Sequence, residues 1–538
     1  MSASSKKKLR KDQEAEKLTQ RQQAERKEAR QLKVYTIAFV AVVAVMLVVA
    51  LVVGINQTVD SRGLREKNTV AVTIGDHKLS NAQLNYFYMD IVNQYASYAS
   101  YLGLDTTKAL DDQVYDEEAG TTWADYFLDY AKTNAQSVYA MADAAQAAGF
   151  ALTESQEASI DQSVSSFTAY ATLYGFSSAE DYLKAMYGNG ATMDSFREYQ
   201  KLNTLANAYY NAYGEELTYT DAQLREKEAE NYNQFSAYSY HSYYLAASKF
   251  LEGGTTAEDG TTTYSDEEKA ASVKAAKEAA DSLIEESIAD VAALDEAIAA
   301  LSVNAGSTVS STAYEDNAYN SVTAAIRDWV SDSGRTAGDR AVIANVTTDA
   351  DGKETTSGYY VVWFEGSNDN TFALKNVRHI LVAFEGGTTD DSGVTTYSDE
   401  EKAAAREAAE ALLAQWKSGD ATEDSFAALA NEESDDGDGT TGGLYEDVYP
   451  GQMVEPFEAW CYDETRSTGD TGIVESTYGY HVMYFCGDSD TNYRDHQIAT
   501  QLRTADLQAW YTETVEAATI TDGDTRYLST DLVLSNNG

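Results

Sequence analysis

V-R-H-I-L (residues 377–381), S-F-A-A-L-A (425–430), S-D-D-G-D-G-T-T-G-G (434–443), G-Q-M-V-E-P-F (451–457) and Y-G-Y-H-V-M-Y-F (478–485) follow one another within the 112 residues 376–487. The run 377–384 is apolar and of strand length. Ser398 opens S-D-E-E, a capping box with Glu401. The helix it starts carries Ala405, Ala409, Leu412 and Trp416 on one face before Gly419 closes it. Phe426 and Leu429 mark a second short helix, Met453, Phe457 and Trp460 a third, and the last strand runs to Phe485. The order β-α-α-β-α-β-β in so short a stretch predicts a compact α+β domain.

In this order and at this spacing, R-H-I-L, F-x-x-L-A before an S-x-D turn, G-G, G-Q-M-x-x-x-F and Y-G-Y-H resemble the parvulin (PpiC-type) family of peptidyl-prolyl cis-trans isomerases. One motif departs. The family's G-G-D-L-G is here Gly442, Gly443, Leu444 and Tyr445, without the aspartate and the last glycine. The resemblance implies isomerisation of X-Pro peptide bonds, with no cofactor and no metal. It places His379 and His481 side by side on central strands and Asp436 beside the amide as the catalytic carboxylate. It makes Leu444, Met453 and Phe457 the apolar slot for the proline ring.

Other chemistries fit some of the same residues. Two histidines on inner strands also suit a purely structural hydrogen-bonded pair. A metal site from His379, His481 and Asp436 lacks any further ligand at suitable spacing. The D-D-G-D-G turn lacks the D-x-D-x-D-G order of a calcium loop and reads as a solvated turn. Cys461, next to Trp460 on a core-facing helix, has no histidine near it in sequence to make it a nucleophile.

The remainder of the 538-residue chain frames this domain. Residues 1–33 carry 11 Lys/Arg and 5 Asp/Glu, and residues 35–55 hold no charge, enough to span a bilayer. Basic residues before the apolar run keep the N-terminus in the cytoplasm. A cleaved signal peptide is the alternative, but the run is long for one and no A-x-A site follows. Beyond the anchor, 28 Lys/Arg face 82 Asp/Glu. Nucleic-acid binding is therefore disfavoured, since phosphates require clustered basic charge. The only two cysteines, Cys461 and Cys486, make no disulfide framework, and the sequence leaves open whether they pair.

Residues 69–79 alternate apolar and polar and turn at Gly75 and Asp76, as a β-hairpin does. Ser80 and Gln83 form a capping box, and Leu84, Phe87, Tyr88 and Ile91 follow at helical spacing. Residues 121–231 are helical in pattern. This hairpin and helical array resemble the N-terminal chaperone segment of PrsA/SurA-like extracytoplasmic foldases. In such foldases a C-terminal helix returns to complete that segment, which is the role expected of the helical run 492–517. The 39 tyrosines suit either a cradle for unfolded clients or a core in which tyrosine replaces phenylalanine.

The chain also repeats itself. E-G-G-T-T and Y-S-D-E-E-K-A-A recur with an offset of 133, Y-E-D and a tryptophan with 131, and the closing strands with 121. Residues 233–368 are thus a second, degenerate copy: Tyr360 stands for His481, Val322 and Ile326 for Met453 and Phe457, and the 304–311 turn has no aspartate. His241 is one residue off the matching position, which on a strand is the opposite face.

The expected organisation is a basic tail (1–33), a transmembrane anchor (34–56) and a helical chaperone domain (57–232). A degenerate parvulin-like copy (233–368), an intact one (372–488) and a C-terminal helical segment (489–538) follow. The expected partners are unfolded or partly folded secreted polypeptides, met outside the cell membrane. The competing readings are a non-catalytic holdase and a cell-wall structural or adhesin protein, the latter having no need of two histidines and an aspartate at these positions. The sequence fixes no oligomeric state.

Overall fold

The computed structural model describes residues 57–530 except 106, 350, 391 and 438, together with scattered positions before residue 54. Of the predicted anchor 34–56 only 42–49 and 53 are among them, so the anchor and the basic tail lie almost wholly outside the described residues. Among the described residues no helix is long and apolar enough to cross a membrane. The chain forms two compact units, one from residues 1–217 and 505–538, the other from 218–504.

In the first unit the strand Val70–Ile74 turns at Gly75 (φ 53°) into His77–Ser80. Ser80 caps the helix Asn81–Ala96, its side chain accepting from the Gln83 amide while Gln83 reaches back to the Ser80 amide. A third strand, Ile520–Asp522, pairs antiparallel with the first, Val72 opposite Asp522. Helices Trp123–Ala148 and Met193–Glu216 pack with Asn81–Ala96 around a core containing Phe87, Phe127, Tyr86 and Tyr88. Trp510, from the part of the last helix that belongs to this unit, stacks on Tyr213 at 3.8 Å.

Tyrosine occurs both in the core and on the surface of this unit. Tyr187 and Tyr199 are core rings that donate to opposite oxygens of Asp90, at 2.7 and 2.6 Å, and burial raises the pKa of that carboxyl. Tyr98 and Tyr101, by contrast, are 63% and 92% exposed.

The second unit contains two four-stranded antiparallel sheets with the same strand order. One runs Thr312–Ala318, Ala237–Ala246, Glu354–Asn368, Arg340–Thr348. The other runs Leu444–Val448, Ala373–Ala383, Gly479–Asn492, Thr471–Glu475. The correspondence extends to local strain. Asp316 (φ 40°) and Asp447 (φ 54°) both sit in left-handed backbone at a bulge, and their amides donate to Ser239 Oγ and Asn376 Oδ1. Arg335 lies over Trp329 at 4.4 Å and Arg466 over Trp460 at 3.9 Å.

Each copy also carries a hairpin of paired threonines, Thr255–Thr256 with Thr262–Thr263 and Thr388–Thr389 with Thr395–Thr396. Two-residue strands are too short to show a periodicity in sequence.

In the second sheet the capping box at Ser398 starts the helix Asp399–Ser418, which buries Ala405, Ala409 and Trp416. That helix and Phe426 cover one face, against Ile380, Tyr480, Val482 and Tyr484. The other face carries Val377, Met483 and Phe485 against the short helix Glu455–Cys461. Cys461 belongs to this second cluster and Cys486 packs against the first, so the sheet separates the two thiols and both are free.

Candidate active site

Strand alternation brings the two histidines together. His379 and His481 come from the adjacent antiparallel strands Ala373–Ala383 and Gly479–Asn492 and point to the face that carries Met483. Their Nδ1 atoms are 3.0 Å apart, and both residues are buried. Asp436 arrives from the acidic turn, its Oδ2 2.9 Å from His379 Nε2.

Two further residues complete the chain of bonds. Tyr445 Oη donates to the same Asp436 oxygen at 2.8 Å, and Ser476 Oγ lies 2.8 Å from His481 Nε2 while accepting the Tyr478 amide at 3.1 Å.

One proton arrangement satisfies every bond. Asp436 accepts, so His379 carries its proton on Nε2 and accepts at Nδ1. His481 must then donate from Nδ1 and accept at Nε2, where Ser476 donates. Both rings are neutral in this arrangement. The electrostatics agree: burial lowers the His379 pKa although Asp436 pulls it up, and burial with the neighbouring His379 pushes His481 down to about 4. Tyr445 is pushed up to about 12 by burial and by Asp436, so it remains a donor.

The acidic turn is tethered to the strand, although most of its described residues are exposed as a solvated turn would be. The Asp435 amide donates to Leu381 O and its carboxylate accepts the Ala383 amide, both at 2.9 Å. Arg378 Nη1 donates to the carbonyls of Thr441 and Gly442 at 3.1 and 3.0 Å, clamping the turn. The glycine pair follows from this closeness. At Gly443 (φ 64°) an added Cβ would lie 2.1 Å from the His379 carbonyl oxygen.

Of the three residues expected to form the apolar slot, Phe457 and Met453 lie on the histidine face and Leu444 does not. Phe457 is fully buried beneath the histidines, its ring edge-on to His379 at 5.3 Å and to His481 at 5.4 Å. Met453 is half-buried in the same cluster. Leu444 is not part of it. It pairs with Arg378, one residue off His379, and therefore faces the other side of the sheet, while its neighbour Tyr445 meets His379 at 5.1 Å. Tyr445 takes the place assigned to Leu444.

All four ring nitrogens of the pair have hydrogen-bond partners: the facing ones bond each other and the outer ones bond Asp436 and Ser476. Among the described residues no group of three or more His, Cys, Asp or Glu is arranged to hold a metal ion.

Residues 379–486 match the rotamase family, described as the PPIC-type PPIase domain. This segment is a parvulin-type domain. Foldase protein PrsA 1 of Listeria monocytogenes serotype 4b (strain F2365) is 34% identical over 104 residues, 18% of this chain and 35% of the relative. The chain thus spans about a third of the length of that curated relative. Crystal structures of peptidylprolyl isomerase (PrsA) from Bacillus anthracis and Bacillus cereus align with 21% and 25% identity, each with a TM-score of 0.17. They cover 28% and 30% of this chain and 59% and 57% of their own.

The first copy has the strand order of the parvulin-type domain and carries other side chains at the corresponding positions. By register, Tyr360 pairs with Tyr244 as His481 pairs with Leu381, and Ser242 pairs with Val362 as His379 pairs with Met483. His241 faces away and bonds Ser311 Oγ at 3.0 Å. The space under the sheet is filled by Val322, Ile326 and Phe364, with Tyr240 stacked on Tyr314 at 4.8 Å.

Proposed function

We propose that this chain is a membrane-anchored extracytoplasmic foldase whose parvulin-type domain isomerises X-Pro bonds in secreted proteins. The observation that carries the reading is the closed bond network Ser476–His481–His379–Asp436–Tyr445 above Phe457. The X-Pro bond exchanges over tens to hundreds of seconds because twisting it sacrifices amide resonance, a barrier of about 18–20 kcal/mol. A catalyst must hold the twisted amide better than the planar one.

Twisting removes the charge separation of the amide and leaves a ketone-like carbonyl with an electrophilic carbon. An apolar, water-poor wall penalises the polar planar form, and an oxygen lone pair facing the carbonyl carbon favours the twisted one. Phe457 and Met453 supply the first. Asp436 supplies the second: its side-chain hydrogen bonds to described residues, from His379 and Tyr445, both fall on Oδ2, and its side chain is 37% exposed, so that Oδ1 can meet the client. In this reading His379 and His481 are positioning residues. Two neutral rings hold Asp436 by a directional chain and bring no charge of their own.

The helical unit serves the same task by gripping unfolded chains, with the exposed rings of Tyr98 and Tyr101 as contact points. The decisive experiment is cis/trans exchange of a short X-Pro peptide by the full-length protein. Parent activity that Asp436→Ala reduces tenfold or more supports the reading; a parent with no activity leaves the holdase in its place.

A further inference from the structure

Where the two copies meet the last helix, a second cleft opens that belongs to neither copy alone. It has a volume of about 330 Å³ and draws on the first copy (Phe235, Asn320), the parvulin-type domain (Tyr449) and the helix Tyr493–Ala517. This is the size of a small ligand pocket. Its apolar surface is aromatic: Phe235, Tyr449 and Tyr493, with Tyr449 stacked parallel to Tyr493 at 6.2 Å and against His496 at 4.6 Å.

Two properties set the cleft apart from the rest of the chain. No Asp, Glu, Lys or Arg lines it, in a protein of net charge −48. Three of its polar side chains are also unused, while Gln497 accepts from Asn370 Nδ2. The side chains of Gln234, Asn320 and Gln501 make no hydrogen bond to any described residue, and the carbonyl oxygen of Gln501 is buried without a partner. The amides of Gln234 and Asn320 at the wall gain partners when a polar group of the occupant meets them. Burial lowers the His496 pKa, which keeps that ring uncharged near neutral pH.

Primary amides both donate and accept, as the backbone of an extended polypeptide requires, and flat rings accept side chains without demanding a sequence. We propose that this cleft holds an uncharged, extended stretch of client polypeptide beside the isomerase site. The assignment rests on the foldase reading and names where the client is gripped. The geometry joins the two sites, since Tyr449 and Met453 are four residues apart on one loop, at most about 14 Å of chain. A client seated in the cleft presents the X-Pro bond some four or more residues along to Asp436 at a high effective concentration.

The test uses the full-length protein and three peptides: a 20-residue uncharged peptide of Tyr, Gln, Ser and Thr without proline, the same peptide with one central proline, and an X-Pro tetrapeptide. Tyr449→Ala and Gln501→Leu should each weaken binding of the proline-free peptide about tenfold. They should raise KM for the long proline peptide to match and leave tetrapeptide kcat/KM unchanged. Should either variant lose its cooperative unfolding transition, Asn320→Asp at the exposed rim replaces it, with weakening of about threefold, and more for a peptide carrying aspartate. Equal binding of the proline-free peptide by parent and variants overturns the proposal even where tetrapeptide turnover is intact. A parent inactive on the tetrapeptide but binding the proline-free peptide in a Tyr449-dependent way keeps the cleft and removes the isomerase reading. Self-association that Tyr449→Ala abolishes would mean that the cleft receives a second copy of this chain, and the proposal fails.

Discussion

The two sheets of the second unit share strand order, bulge and tryptophan–arginine stack, yet one carries a network of five hydrogen-bonded polar side chains where the other carries tyrosines and aliphatics. The difference teaches that the scaffold does not depend on the site. What holds the sheet is the apolar alternation and the bulge, and those survive in both copies. What the site adds is desolvated polar groups, each with a single workable orientation. Losing them relaxes a constraint rather than a support.

The largest expected effect tests the shared scaffold. Phe457→Ala and its counterpart Ile326→Ala both delete fully buried side chains, and each should cost its own copy about 2–5 kcal/mol. Hydrogen exchange along the strands Gly479–Asn492 and Glu354–Asn368 reads the two separately. A negligible loss in the first copy would show that its packing is not equivalent.

Acid should separate the copies next. His481 titrates near 4 in the folded domain and near 6.5 when unfolded, so between those values the unfolded state binds the extra proton. The stability of the parvulin-type domain is therefore full above about pH 6.5 and falls toward pH 4, by on the order of 3 kcal/mol for this group. The first copy has no buried histidine pair and should lose less over the same window. Parallel acid profiles from the two strands would contradict the neutral-pair assignment.

Catalysis sharpens the contrast further. In the full-length chain His481→Ala should slow X-Pro exchange several-fold, and the double variant His481→Ala/Asp436→Ala should reach the uncatalysed rate, because Tyr360 and Ser242 offer no carboxylate to orient. Residual turnover in the double variant would locate activity in the first copy. The smallest effect concerns the loop after the first strand of the parvulin-type domain, where Glu385 and Asp390 stand without a Lys or Arg from 385 to 396. Phosphorylated Ser-Pro peptides should be turned over a few-fold less well than unmodified ones, since the phosphate adds up to two negative charges. A preference for phosphate would assign this loop a different role.

Much of this was legible in the residues themselves. His379, His481 and Asp436 announce themselves through motif order, and the displaced His241 is exposed as a non-equivalent by alternation alone. Ser476 and Tyr445 were not legible. Ser476 reaches His481 through a tight turn five residues earlier, and Tyr445 meets Asp436 only because Arg378 clamps the glycine turn against the strand. Leu444 was misassigned for the same reason: which side a residue faces depends on register, and register across this pair is set by the bulge at Asp447. The cleft at Tyr449 had no signature at all, since its walls come from residues 234 to 501.

The pairing of Val72 with Asp522 has a consequence in time. About 450 residues separate these two strands, and at 5–20 residues per second the ribosome needs roughly 20–90 s to deliver the second after the first. Until then the strand Val70–Ile74 has an open edge, and the helices around it lack the return of Trp510. Residues 218–504 emerge entirely within that interval. Residues 218–504 are thus free to fold before the three-stranded sheet of the first unit can be completed.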